Sequence, residues 1–260
     1  MTLRAKKSLG QHFIADPNYC RRIVHYAEIQ PADTVVEIGP GTGQLTEHLL
    51  GRARTVIAIE FDRDMMAHLQ TRFTNEPRLT LIQRDILALD WNTILKTSPV
   101  KIVGNLPYNI STRVLTKTTE IKDRFHSFTF MVQKEVAERV LATPRSKDYG
   151  YFTLLMEYHF ERIKGFDVPP GAFLPKPKVT SHVMKIFPRD PPYPVKDYPQ
   201  FVRLLKKSFQ QRRKTLWNNL KSTVNESRQL EVAFKACHIP TGSRPEEVAL
   251  EQYACLSRML

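Results

Sequence analysis

No apolar run in the sequence approaches the ~18 residues that mark a membrane-crossing helix. A basic start (Arg4, Lys6, Lys7) is not followed by the apolar core of a secretory signal, so export is not expected. Patterned sequence already begins at Leu9-Gly10-Gln11-His12-Phe13, which argues against a mitochondrial presequence. Cysteine is scarce: Cys20, Cys237 and Cys255 are scattered and odd in number. That pattern speaks against a disulfide framework and against a zinc site, and predicts small buried hydrophobes in a reducing cytosol. His25, His48, His68, His126, His159, His182 and His238 show no ligand spacing, so no metal is expected. Internal repeats and low-complexity tracts are also missing.

What the sequence has in excess is positive charge. Lys and Arg total 39 against 26 Asp and Glu, a net of +13. Such a field attracts polyanions and speeds their encounter. Nucleic acid is favoured over an anionic membrane, because no strongly amphipathic anchor or lipidation signal appears. A chain of 260 residues buries a sizeable core, as one large domain or a large one plus a small one.

Short β-branched runs alternate with helical stretches from Ala32 to about Gln133. Thr34–Ile38, Thr55–Glu60, Leu79–Gln83, Lys101–Asn105 and Ser127–Val132 read as strands. Helical patterns fill the gaps at Gly43–Leu50, Asp62–Phe73 (with Asp62 as cap) and Ser111–Glu120. Apolar strands separated by helices imply a mostly parallel sheet covered on both faces, an open, doubly wound α/β domain. Phe160–Val168 and Val179–Phe187 are expected to add an antiparallel pair at one edge. The prolines of Arg189-Asp190-Pro191-Pro192-Tyr193-Pro194 then mark a linker. This predicts a first domain over 1–188 and a small helical domain over 189–260, with helices around Phe201–Leu220, Leu230–Cys237 and Pro245–Met259.

In open parallel sheets, ligands sit beyond the carboxyl ends of the strands. The first loop there, Gly39-Pro40-Gly41-Thr42-Gly43, is spaced G-x-G-x-G rather than as the dinucleotide motif, and no Lys follows it to cradle a phosphate. Glu60 ends the second strand, where an acid accepts from ribose hydroxyls; Asp85 follows the third, placed to accept from an adenine amino group. Either is open to a plainer reading as an exposed strand-end acid. Together with the glycine loop they point to adenosine without a phosphate binder, hence S-adenosylmethionine, whose cationic sulfonium tolerates Glu37 nearby.

The fourth strand ends in Asn105-Leu106-Pro107-Tyr108. An adenine amine is a poor nucleophile, because its lone pair is delocalised into the ring. Two acceptors aimed at its hydrogens, the Asn105 side-chain oxygen and a carbonyl near Leu106, favour a pyramidal nitrogen. Pro107 fixes φ and donates no hydrogen, and Tyr108 offers a face on which a base stacks.

These motifs, Gly39–Gly43 with Asn105-Leu106-Pro107-Tyr108-Asn109-Ile110-Ser111-Thr112, resemble those of the rRNA adenine N6,N6-dimethyltransferase family. The likeness continues in Leu9–Phe13, Phe173–Ser181 and Phe209–Leu216, so it spans nearly the whole chain. It implies a seven-stranded, Rossmann-like class I methyltransferase sheet. It implies donor contacts from His12, Ile14, Gly39, Gly41, Glu60, Asp85 and Asn105, and catalytic roles for Asn105, Leu106, Tyr108 and Phe173, the last closing over the flipped adenosine opposite Tyr108. The implied substrate is a pair of adjacent adenosines in the 3′-terminal hairpin loop of small-subunit rRNA within a ribosomal particle, each methylated twice by a cytoplasmic monomer.

Phe201–Lys221 carries Arg203, Lys206, Lys207, Arg212, Arg213, Lys214 and Lys221 with no acid. An ordinary solvated face mixes signs, so an RNA surface is expected there, with Arg4, Lys6 and Lys7 as either a second contact or a solvated tail. The rival readings are a large-subunit rRNA methyltransferase of the macrolide-resistance type, a non-catalytic RNA- or DNA-binding assembly or transcription factor on the same fold, and a DNA adenine methyltransferase.

Overall fold

A computed structural model describes residues 6, 9–95, 100–222 and 226–260. The chain divides into two compact units, one formed by 1–137 with 162–188 and the other by 138–161 with 189–260.

Among the described residues the nine strands are β1 (Phe13–Ile14), β2 (Thr34–Ile38), β3 (Thr55–Glu60), β4 (Leu79–Gln83), β5 (Val100–Asn105), β6 (Phe125–Gln133), β7 (Phe160–Val168), β8 (Phe173–Leu174) and β9 (Ser181–Pro188). Seven of them form one sheet in the order β4-β3-β2-β5-β6-β9-β7, while β1 and β8 make a separate antiparallel pair. Pairing from β4 through to β6 is parallel, and β9 runs antiparallel to β6. This is the expected doubly wound α/β sheet with its edge pair. Val35, Val36, Val56, Ile102 and Val103 are buried, as strands covered on both faces require.

Register is what builds a site. Ile38 pairs with both Ile59 and Gly104, and Glu60 pairs with Gln83. The carboxyl ends of β2, β3, β4 and β5 therefore lie level, and the strand order reverses at β2, the place where such sheets bind ligands. Gly104 permits the close approach: a Cβ there would sit 2.9 Å from the Ile38 carbonyl oxygen. Asp62 caps the helix Arg63–Arg72 as expected, its carboxylate accepting from the Asp64 N–H.

The second unit packs around Phe201, Leu205, Leu216, Leu220, Phe234 and Tyr253. Tyr149, Leu154 and Tyr158 join that same core. The segment 138–161, which the linear division at 188/189 leaves in the first domain, thus belongs by its packing to the second unit. Its large apolar side chains are the reason, since linear position does not reveal which core they enter.

The cysteine expectation is corrected. Cys237, at the end of the helix Ser227–Ala236, and Cys255, within the helix Leu250–Met259, are joined by a disulfide with their Cα atoms 5.6 Å apart. Cys20 alone is free, and it is buried. The pairing was hidden because the two residues lie on different helices brought together by tertiary packing. Among the described residues no cluster of His, Cys, Asp and Glu suits a metal ion, and no helix is long and apolar enough to cross a membrane.

Candidate active site

Two cavities open at the level strand ends of the first unit. The larger, 150 Å³, is lined by Gly39, Glu60, Phe61, Asp85, Ile86 and Pro107 among others. The smaller, 40 Å³, lies among His12, Gly41, Glu60, Asn105, Leu106 and Tyr108. Gln11, Gly39, Glu60 and Pro107 line both.

The glycine loop wraps the junction. Gly41 has φ +58°, and a Cβ there would lie 2.6 Å from the Phe13 ring. A side chain at that position would strain the backbone and collide with an aromatic wall. Glu60 is buried, and its carboxylate accepts from the Gly41 N–H (3.0 Å) and the Asp62 N–H (2.8 Å). Burial pushes its pKa up, and those backbone donors oppose the rise. Asp85 is exposed and accepts from the Leu87 N–H through Oδ1. Glu37 departs from expectation, for it lines neither cavity. It is 1 % exposed, with burial pushing its carboxyl up to about 8.

The end of β5 holds the polar pair. Asn105 donates through Nδ2 to the His12 carbonyl at 2.7 Å. That bond fixes the amide plane, and among the described residues nothing donates to the Asn105 Oδ1 or the Leu106 carbonyl oxygen. Tyr108 is half-buried, with its Oη 2.6 Å from the Oγ of Ser181 and its ring centroid 5.1 Å from that of His12. His12 Nδ1 in turn lies 2.8 Å from the Pro175 carbonyl oxygen. Burial raises the Tyr108 pKa, and the Ser181 hydrogen bond acts against that.

The structure thus gathers His12, Gly39, Gly41, Glu60, Asp85, Asn105, Leu106 and Tyr108 around adjoining cavities. Two expected residues are not among them. Ile14 is 5 % exposed and Phe173 2 % exposed, both within the hydrophobic core of the first unit. They pair with each other across β1 and β8, and strand alternation turns both inward while Leu174 stands 69 % exposed. Phe173 is therefore packed in that core and lines neither cavity.

Other lining residues escaped the sequence reading: Gln11, Phe13, Phe61, Arg84 and Arg113. Phe61 had a legible signal, an aromatic directly after a strand-end acid, and it is exposed. Arg113 had none, since only the turn of the helix Ser111–Ile121 brings it back to the cavity.

Among the basic residues, Lys6 is corrected. Its ammonium pairs with Asp62 and Asp64, each at 2.7 Å, and its backbone N–H donates to Gln11, whose amide also donates to Asp62. Its charge is thus already paired at the start of the Arg63–Arg72 helix. Burial acts to raise the Asp62 pKa, but hydrogen bonds from Lys6, the Asp64 N–H and Gln11 hold it below the usual carboxylate value. Arg4 and Lys7 lie outside the described residues. Arg203, Lys206 and Lys207 stand on the helix Tyr198–Ser208, and Arg212, Arg213 and Lys214 are exposed just beyond it. Arg212 also donates to the carbonyls of Lys147 and Tyr149.

Comparison with known proteins gives a consistent picture. A family model described as ribosomal RNA adenine dimethylase matches residues 2–260. The chain is 40% identical over 258 residues to ribosomal RNA small subunit methyltransferase A of Aromatoleum aromaticum, covering 99% of this chain and 94% of the relative. It is 39% identical over 264 residues to the protein of that name from Geobacter metallireducens, covering 99% and 96%. Among solved structures, a dimethyladenosine transferase from Plasmodium falciparum is similar with a TM-score of 0.81 at 25% identity, over 94% of this chain and 96% of that one. The 23S rRNA methyltransferase ErmE is similar with a TM-score of 0.72 at 26% identity, over 95% and 99%.

Proposed function

The chain belongs to the ribosomal RNA adenine dimethylase family, and from that premise we propose that it dimethylates N6 of two adjacent adenosines in the 3′-terminal hairpin loop of small-subunit rRNA, with S-adenosylmethionine as methyl donor. The observation that carries the reading is the Asn105 Oδ1, which accepts from nothing among the described residues while Nδ2 is held by the His12 carbonyl, in the small cavity that shares Glu60 with the larger one lined by Asp85. The residues fit the donor. Glu60 has the place and polarity to accept from ribose hydroxyls, Asp85 to accept from the adenine amine, and Phe61 offers an exposed ring beside them. When bound, the donor supplies an electrophilic sulfonium methyl group.

In the first transfer Asn105 Oδ1 and the Leu106 carbonyl accept the two hydrogens of the target amine, and in the second transfer one of them accepts the single hydrogen that remains. They favour a pyramidal nitrogen and turn its lone pair toward the methyl. The N–C bond forms as the S–CH3 bond breaks, and the cationic amine then releases its proton to water, so no side chain has to act as base. Tyr108 stacks on the base, worth ~1–3 kcal/mol. Extruding that base costs a few kcal/mol, less in a loop that is already unpaired. Alignment supplies most of the acceleration, for which well-oriented systems offer ~7–11 kcal/mol. Arg203, Lys206, Lys207, Arg212, Arg213 and Lys214 hold the RNA backbone. The enzyme works as a monomer in the cytoplasm, during small-subunit biogenesis.

The test uses purified protein, labelled S-adenosylmethionine and small subunits lacking these methylations, with large subunits and duplex DNA as competing acceptors. Mass spectrometry should find N6,N6-dimethyladenosine in the small subunit, and Asn105→Ala should nearly abolish it. Transfer to large subunits alone would support the activity named for the ErmE relative. Binding to small subunits without any transfer would leave an assembly factor.

A further inference from the structure

A second cleft, of 560 Å³, lies wholly within the second unit, between the helix Tyr198–Ser208 and the end of the helix Leu250–Met259. Its volume is that of a ligand site rather than a packing fault. Arg203, Lys206 and Lys207 line it, with Gln200, Gln210, Ser257 and the carboxyl-terminal Leu260; no acidic side chain does, and the three cations outnumber the Leu260 carboxylate. By contrast, a cleft of similar size in the first unit mixes Arg21 and Arg52 with Glu28 and Glu47. No ion pair holds Arg203, Lys206 or Lys207 among the described residues. Lysines in the last turn of a helix are ordinary complements of its dipole, but Arg203 lies further back along it. Ser257 is 7 % exposed, and its Oγ has no hydrogen-bond partner. A buried hydroxyl left unpaired costs free energy, which a ligand in the cleft recovers when the Ser257 side chain turns to donate to it.

We propose that this cleft is a dedicated seat for a phosphodiester group of the RNA backbone, which deepens, and rests on, the rRNA reading above. The forked Arg203 guanidinium and the Lys207 ammonium supply the charge. Ser257 and the amides of Gln200 and Gln210 supply neutral donors that fix its position. The remaining basic residues beyond the helix act as a diffuse field. The seat differs from that field in having a buried neutral donor.

The test compares three variants in binding to unmethylated small subunits across a salt series: Arg203→Gln with Lys207→Gln, Arg213→Gln with Lys214→Gln, and Ser257→Ala. Equal unfolding midpoints establish that each is folded. The Arg203/Lys207 pair should lose at least ~10-fold in affinity, and the log–log salt slope should fall by about 0.7–0.9 for each phosphate that is no longer neutralised. Ser257→Ala should lose ~3-fold with the slope unchanged, because a neutral donor releases no counterion. A silent Ser257→Ala, with both double variants equally impaired, would overturn the seat in favour of diffuse charge. Inorganic phosphate that binds the cleft while the Arg203/Lys207 pair still holds subunits as wild type does would make it a site for a free anion, and would equally overturn the proposal. Should wild type bind no subunit at any salt, the functional reading fails first. The seat is then judged on single-stranded polyuridylate, where the same losses sustain it and their absence sinks it.

Discussion

Asn105 donates its side-chain amide to the backbone carbonyl of His12, 2.7 Å away across 93 positions of sequence. The bond decides which end of the amide is left to accept, so under the proposed function His12 becomes part of the amine clamp. Replacing Asn105 by Asp keeps an acceptor but sets a carboxylate against a carbonyl oxygen. Asn105→Asp should therefore lower kcat at least ~100-fold, equivalent to about 2.7 kcal/mol, and weaken donor binding as well. Single-turnover rates and donor titration together check this, and an unchanged kcat would remove Asn105 from the clamp.

Tyr108 and Ser181 share a hydrogen bond that orients the ring proposed to stack on the base, and Ser181 is fully buried. Ser181→Ala leaves the Tyr108 hydroxyl without its partner, and Tyr108→Phe does the converse, each at about 1–3 kcal/mol if the remaining group stays dry. Both should reduce kcat/KM by ~3–30-fold through base positioning. Applied together they should do little more than either alone, since the pair acts as a unit. Fully additive losses in a double-mutant cycle would show that the hydroxyls act separately.

The strands β2, β3 and β4 were legible to the residue, because β-branched runs bounded by turn formers carry a strong local signal. The place of Glu60, Asp85 and Asn105 beside the cavities was legible too, because a parallel sheet puts successive carboxyl ends on one edge. Features set by tertiary packing were not. Strand alternation in a two-residue pair decides that Phe173 and Ile14 point inward, and no sequence pattern reveals the facing of so short a strand. Lys6 read as free charge because Asp62 and Asp64 lie far away in sequence. The segment 138–161 has an apolar face but nothing in it that names the core it enters.

Glu37 gives the stability a pH dependence of definite sign. Its folded-state pKa is pushed up to about 8 by burial, against 4.5 for an exposed carboxyl. Between those values the folded protein holds a proton that the unfolded chain has released. Stability from this group is complete below about pH 4.5 and is lost as pH rises toward 8. Each unit of the gap is worth about 1.4 kcal/mol, so the window spans several kcal/mol. Glu60 is shifted in the same direction, and Asp62 in the opposite one, its contribution being lost as pH falls. Glu37→Gln should flatten the alkaline limb and raise the unfolding midpoint at pH 8 more than at pH 5. Parallel curves for variant and wild type would mean that Glu37 is ionised in the fold.

The bond between Cys237 and Cys255 closes a loop with a sequence separation of 18 inside a unit otherwise held by apolar packing. Constraining the unfolded chain over a loop of that length is worth about 3 kcal/mol. A reducing compartment removes that contribution, because thiols there are kept reduced. Protein denatured without reductant should titrate a single thiol, Cys20, and fully reduced protein three. Reduction should lower the unfolding midpoint of the second unit, while donor binding in the first unit stays as it was. A Cys255→Ser variant should reproduce the reduced midpoint and lose all sensitivity to reductant. If reductant moves nothing in wild type, the apolar core around Phe201, Leu205 and Phe234 carries the unit unaided, and the cysteines count only as buried apolar side chains.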